Sequence, residues 1–206
     1  MARVNEHLGS LSRALKLIQS HFDGVTLERA QTAKGADLLV FLALQQFQKR
    51  KPYRHLEAGI QRDIRYFFGD YSNAQASARQ ALFDLGNLEA IDQACREAPS
   101  KGYGYLEDSH SLQLHTSLLS RLPSLLRIYV ECAAVLCGDI TNFDLVKIHI
   151  RSGKVTLLKY EDFDGVPLPR LVERVKVKLR DQDFDLFSYG DDYPPTLLYY
   201  KSRYIN

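Results

Sequence analysis

Residues 145–160 read LVKIHIRSGKVTLLKY. Leu145, Lys147, His149 and Arg151 alternate with Val146, Ile148 and Ile150. In an extended chain successive side chains fall on opposite faces, so this alternation makes one polar and one apolar face. Ser152-Gly153 supplies a hairpin turn, and Lys154–Tyr160 is then the returning strand. Upstream, Ser111–His115 reads as a short strand. Downstream, Val172, Val175, Val177 and Leu179 repeat the strand pattern with charges between them, and Thr196–Ile205 reads as a last strand.

The first half has a different period. Leu8, Leu11, Leu15, Ile18 and Phe22 recur at three- and four-residue steps and make one face of an amphipathic helix. Asp23-Gly24 ends that segment, and Thr26 offers the cap of the next one. An apolar helix is predicted over 36–48, stopped by Lys49-Arg50-Lys51-Pro52. Further helices are predicted over 56–68 (closed by Gly69), from Ser72 or Asn73 to about Gly86, over 88–97, and over 122–136. Helices first and a mostly antiparallel sheet later make an α+β protein, with helices packed on the sheet. Pro99, Ser100, Gly102 and Gly104 form the clearest break. They divide a helical region, 1–100, from an α+β region, 101–206, and one continuous domain remains compatible with the pattern.

Composition narrows the function classes. The chain has 206 residues, 45% of them apolar, enough for its own core, and a formal net charge of only +2. Any nucleic-acid site must therefore be a local patch. Cys95, Cys132 and Cys137 are odd in number and contain no Cys-x-x-Cys pair, which argues for free thiols in a reducing compartment. Residues 1–20 hold no apolar core of a secretory leader, and the run around 38–44 is too short to span a bilayer. A cytoplasmic chain without a membrane segment is expected.

His115, Lys147, His149, Asp162 and Asp164 are the most suggestive polar set. If the hairpin brings them together, an Asp/His cluster of this kind can bind a divalent ion or move protons. The simpler account is the solvent face of a half-exposed sheet. Asp181, Asp183 and Asp185 have the spacing of a calcium loop, but Leu186 stands where glycine is required and Asp192 where glutamate is. A solvated strand edge explains them better. Arg50 and His55 have the spacing of a helical ribonuclease motif but enclose Pro52. No Gly-rich turn of the cofactor-binding type and no Gly-x-Ser-x-Gly elbow occurs. Neither a cofactor nor a metal is expected.

Two basic stretches remain. Lys49, Arg50, Lys51 and Arg54 surround Tyr53, and Arg170, Arg174, Lys176, Lys178 and Arg180 follow one another near the end. Strand periodicity puts Arg174, Lys176, Lys178 and Arg180 on one face, where they can follow a phosphate backbone. Tyr193, Tyr199, Tyr200 and Tyr204 supply aromatic surface on which bases can stack.

Several strings also occur in a telling order. They are Phe67-Phe68-Gly69-Asp70-Tyr71, Leu82-Phe83-Asp84-Leu85-Gly86-Asn87, Leu122-Pro123 with Leu126-Arg127 and Tyr129, and Val146-Lys147. Then come Lys154-Val155-Thr156-Leu157-Leu158-Lys159-Tyr160, Asp162-Phe163-Asp164 with Pro167 and Pro169, and Pro194-Pro195-Thr196-Leu197. Together, over residues 67–205, they resemble the accessory, non-Rossmann region of the DNA phosphorothioation-associated methyltransferase family. Tyr199-Tyr200-Lys201-Ser202 departs from it, because the family carries a His-Arg-Lys-Glu-like charged string there. The resemblance implies a DNA-modification or defence context without the methyltransferase half. The expected function is a non-catalytic accessory protein that binds DNA or a DNA-processing partner. The alternatives are a metal-dependent enzyme acting on nucleic acid or nucleotide, through the five-residue polar set, and a purely protein-binding subunit.

Overall fold

The computed structural model describes residues 6–47, 51–190 and 193–205. The hairpin of residues 145–160 forms the middle of a six-stranded antiparallel sheet. Its strands lie in chain order: β1 (Tyr105–Glu107), β2 (Ser111–His115), β3 (Leu145–His149), β4 (Lys154–Glu161), β5 (Arg170–Lys178) and β6 (Asp183–Ser188). Register fixes the two faces. Leu112, Ile148, Val155 and Val177 form one cross-strand row, and Leu114, Val146, Leu157 and Val175 form another. Between them, on the opposite face, runs the row Gln113, Lys147, Thr156, Lys176 and Asp185.

The apolar rows pack against two helices, α5 (Leu88–Ser100) and α6 (Ser124–Cys137). Ile91, Cys95 and Ala98 of α5 join Leu126, Tyr129, Val130 and Ala133 of α6 over the sheet in one core. Burying a large apolar side chain there contributes about 1.5–3 kcal/mol. Ile128, on the other side of α6, belongs to a second core with α2 (Gly24–Leu44), α3 (Ala58–Phe68) and α4 (Tyr71–Phe83). Helix α6 is thus a middle layer, and cores built from both sequence regions run across residue 100. The N-terminal helix α1 (Leu11–His21) buries only Ala14, leaving Leu11, Leu15, Ile18 and Phe22 exposed.

Local chemistry sets the helix ends. Asp23 caps α2 by accepting from the Thr26 amide at 2.6 Å, so this helix starts well before the predicted residue 36. Asp70, not Ser72 or Asn73, caps α4 through the Asn73 amide at 2.8 Å, because Gly69 at φ +80° turns the chain directly into it. Helix α5 runs on through Pro99, which falls in its last turn. Two further differences concern the sheet. The three-residue strand β1 and the six-residue strand β6 complete its edges. Residues 196–205 form no strand: Leu197 makes one isolated bridge with Arg170, and Lys201–Tyr204 is a 3-10 helix. Asp183 and Asp185 lie on the edge strand β6, as the solvated-edge reading expects, and both pair with Lys178. Among the described residues no helix is long and apolar enough to cross a membrane.

Candidate functional site

Among the described residues, no α-helix packs on the polar face of the sheet. The C-terminal segment folds over part of it instead. The Leu171 amide donates to Thr196 at 2.8 Å and the Leu198 amide to Pro169 at 2.9 Å, which ties the segment to the start of β5. Leu198 is buried against Leu145, Leu158, Phe163 and Leu171. Lys201 Nζ donates to the carbonyls of Phe163 (2.6 Å) and Val166 (3.0 Å) in the β4–β5 turn. Arg203 lies over the rings of Tyr200 (4.2 Å) and Tyr105 (5.0 Å), and Tyr204 meets Tyr105 edge-on at 6.3 Å. Between this segment and the sheet opens a cleft of about 570 Å³.

The floor of the cleft is Gln113, Lys147, His149, Thr156, Arg174 and Lys176. Tyr105, Glu107 and Asp108 close one side, and Tyr199, Tyr200, Arg203 and Tyr204 the other. A β-bulge aims the basic residues. The β4–β5 register shifts between Lys159 and Tyr160, where Leu171 and Glu173 are the facing partners and Val172 is the extra residue. Leu171 and Arg174 therefore share the open face although three positions separate them.

Charge in the cleft is uneven. Lys147 pairs with Glu107. Arg174 stacks over Phe187 at 4.2 Å, and its buried Nε has no hydrogen-bond partner. Among the described residues, neither Lys176 nor Arg203 forms an ion pair. His149 feels this field. Burial first, then Lys147, Lys176 and Lys154, with Glu107 opposing, push its ring from the ordinary 6.5 down to about 4. At neutral pH it is therefore an uncharged imidazole, 2.9 Å from Thr156 Oγ1. Tyr160 and Tyr204, both raised mainly by burial, stay protonated.

The five-residue polar set does not converge. Lys147 and His149 line the cleft. His115 faces Leu145, four residues along the sheet from Ser111, the partner of His149, which is about 13 Å at ~3.3 Å per residue. Its ring caps the turn Thr116–Arg121 through Ser117 and lies 5.2 Å from Phe163. Asp162 (φ +47°) and Asp164 lie in the β4–β5 turn, at the end of the hairpin away from His149, where Asp162 accepts from the Gly165 amide. Among the described residues no group of three His, Cys, Asp or Glu side chains is poised to hold a metal ion.

The basic stripe is divided as well. Arg174 and Lys176 face the cleft, while Lys178 is neutralised by Asp183 (3.3 Å) and Asp185 (2.8 Å). Arg180 lies past the end of β5, on the helix side, packed against Gly153. Arg170 is exposed at the start of β5, opposite Glu161. Lys51 lies in the α2–α3 connection, its carbonyl accepting from Tyr71 at 3.1 Å, remote from the sheet's open face. Lys49 and Arg50 fall outside the described residues. Sequence reasoning missed Tyr105, Glu107 and Arg203. A three-residue strand and a single turn of 3-10 helix carry no periodicity that could have marked them. Comparison of the chain with family models, with curated proteins and with solved structures gave no match.

Proposed function

We propose that the chain is a non-catalytic binding protein that takes single-stranded DNA into the cleft on the open face of its sheet. One observation carries this reading: Arg174, Lys176 and Arg203 stand in a tyrosine-walled cleft without a carboxylate partner among the described residues. Phosphates fit the cations, and Tyr199 and Tyr200, both largely exposed, offer faces on which bases stack. The walled shape suits a single strand rather than a duplex, whose convex backbone cannot reach the floor. The resemblance to the accessory region of the DNA phosphorothioation-associated methyltransferases supports the same reading and suggests a cytoplasmic DNA-modification or defence context. A metal-dependent reaction gains no support, because Asp162 and Asp164 stand apart from His149.

Fluorescence anisotropy with a labelled oligothymidylate tests this. Wild-type protein binds at about 50 mM salt, and its affinity falls steeply as salt rises. Lys176→Glu and Arg203→Glu each weaken binding about tenfold, and Lys176→Glu lowers the log–log salt slope by about 0.7, the value for one phosphate contact on a single strand. No binding at low salt, or binding indifferent to both reversals, overturns the proposal.

A further inference from the structure

The floor of the open-face cleft holds one side chain that phosphate binding does not explain. Gln113 stands in the middle of β2, opposite Tyr105 of β1 and Lys147 of β3. The 3-10 turn Lys201–Tyr204 packs over β2, and Gln113 is left 5% exposed. The neighbouring buried Thr156 is satisfied by His149 at 2.9 Å. Gln113 is not: among the described residues its side-chain amide makes no hydrogen bond. Nor is the amide sealed in, for it lines the cleft and keeps its remaining accessible surface there. A buried amide without partners is a standing cost to the fold.

We infer that Gln113 reads adenine: the cleft takes an adenine base of the bound strand, whose amino group donates to the Gln113 carbonyl while the adjacent ring nitrogen accepts from the Gln113 amide N–H. This rests on the single-strand reading and adds a base preference to it. A side-chain amide is satisfied by a donor and an acceptor set side by side. Inside a DNA strand the phosphate and sugar oxygens only accept, so the donor must come from a base. The carboxylates of Glu107 and Asp108, on the β1 wall of the same cleft, oppose a base edge that carries a carbonyl oxygen. Of the four bases only adenine has none, and a paired contact to adenine is the favoured geometry of a glutamine amide. The cleft, about 570 Å³, has the size of a small-molecule site. It holds a base with its flanking phosphates, which are left to Lys176 and Arg203, rather than a long stack.

Fluorescence anisotropy on the full chain provides the test, with a short labelled oligothymidylate and the same oligomer carrying one central adenine as matched probes. The adenine oligomer binds about tenfold tighter, the discrimination of one paired base contact. Gln113→Met keeps the length of the side chain and removes the amide. It brings the adenine oligomer down to the oligothymidylate level and leaves oligothymidylate binding and its salt dependence unmoved. The variant unfolds in urea no earlier than the wild type, because no native hydrogen bond is lost. Replacing the adenine by N6,N6-dimethyladenine, which has no amino hydrogen, likewise abolishes the preference of the wild type. Equal wild-type affinities for the two oligomers, or an adenine preference that survives Gln113→Met, would overturn the inference and leave the single-strand reading standing. Binding of neither oligomer would overturn both.

Discussion

The neutral His149 ring links the electrostatics of the cleft to a measurable property of the whole fold. In the folded chain its proton affinity is displaced from the ordinary 6.5 to about 4. In the unfolded chain the ring protonates near 6.5. Because the folded value is the lower one, the associated stability is fully present above about pH 6.5. It is lost as the pH falls toward 4, since the unfolded state takes up the proton first. At about 1.36 kcal/mol per tenfold change in proton affinity, the full displacement corresponds to roughly 3 kcal/mol. The ring is partly open to solvent and the lysines around it are screened, so about 1–2 kcal/mol is expected. His149→Gln isolates this contribution, because glutamine can still bond Thr156 Oγ1 but does not titrate. Urea unfolding of both proteins at several pH values between 7 and 4 should give curves that diverge by that amount, the wild type losing more. The ring proton followed by NMR should titrate below pH 5 in the free protein and shift upward when an anion fills the cleft. Parallel stability curves, or a ring that titrates near 6.5, would refute the electropositive cleft.

Other outcomes follow from the same geometry. Gly104, at φ +80°, leads the chain into β1, and a Cβ there would meet the Gln113 carbonyl and lie 2.6 Å from Leu114 Cβ. Gly104→Ala should cost about 2–3 kcal/mol, read from the denaturation midpoint, and should loosen Glu107 from Lys147. Leu157 is fully buried between Val146 and Val175, so Leu157→Ala should cost about 2–5 kcal/mol with an unchanged slope of unfolding against urea.

The central hairpin was readable because its period is strict. Val146, Ile148 and Ile150 against Lys147 and His149 leave one way to bury the apolar set, and the structure follows it. The three-residue step from Val172 to Val175 already contained the bulge, since a regular strand keeps one face at steps of two. Periodicity also mislocated Arg180, because the strand ends at Lys178 and Leu179 turns into the helix-side core. The candidate site was only half legible. Lys147, His149, Arg174 and Lys176 sit on strands whose faces the pattern assigns. The cleft itself exists because residues 193–205 fold back over the sheet, held by Lys201 on the Phe163 and Val166 carbonyls and by Arg203 between two tyrosines. Those are long-range contacts of an irregular segment, and local sequence does not encode them as a period. For the same reason Thr196–Ile205 looked like a strand: its apolar and aromatic residues meet the sheet's face rather than join its edge.

An NMR titration of the amide resonances with a short oligothymidylate tests the open-face cleft most directly. The account predicts shifts concentrated in Tyr105–Glu107, Lys147–His149, Arg174–Lys176 and Tyr199–Tyr204, with α2 to α4 silent and the Lys176→Glu variant much less responsive. Shifts confined to the helical layers, or none at low salt, would contradict it.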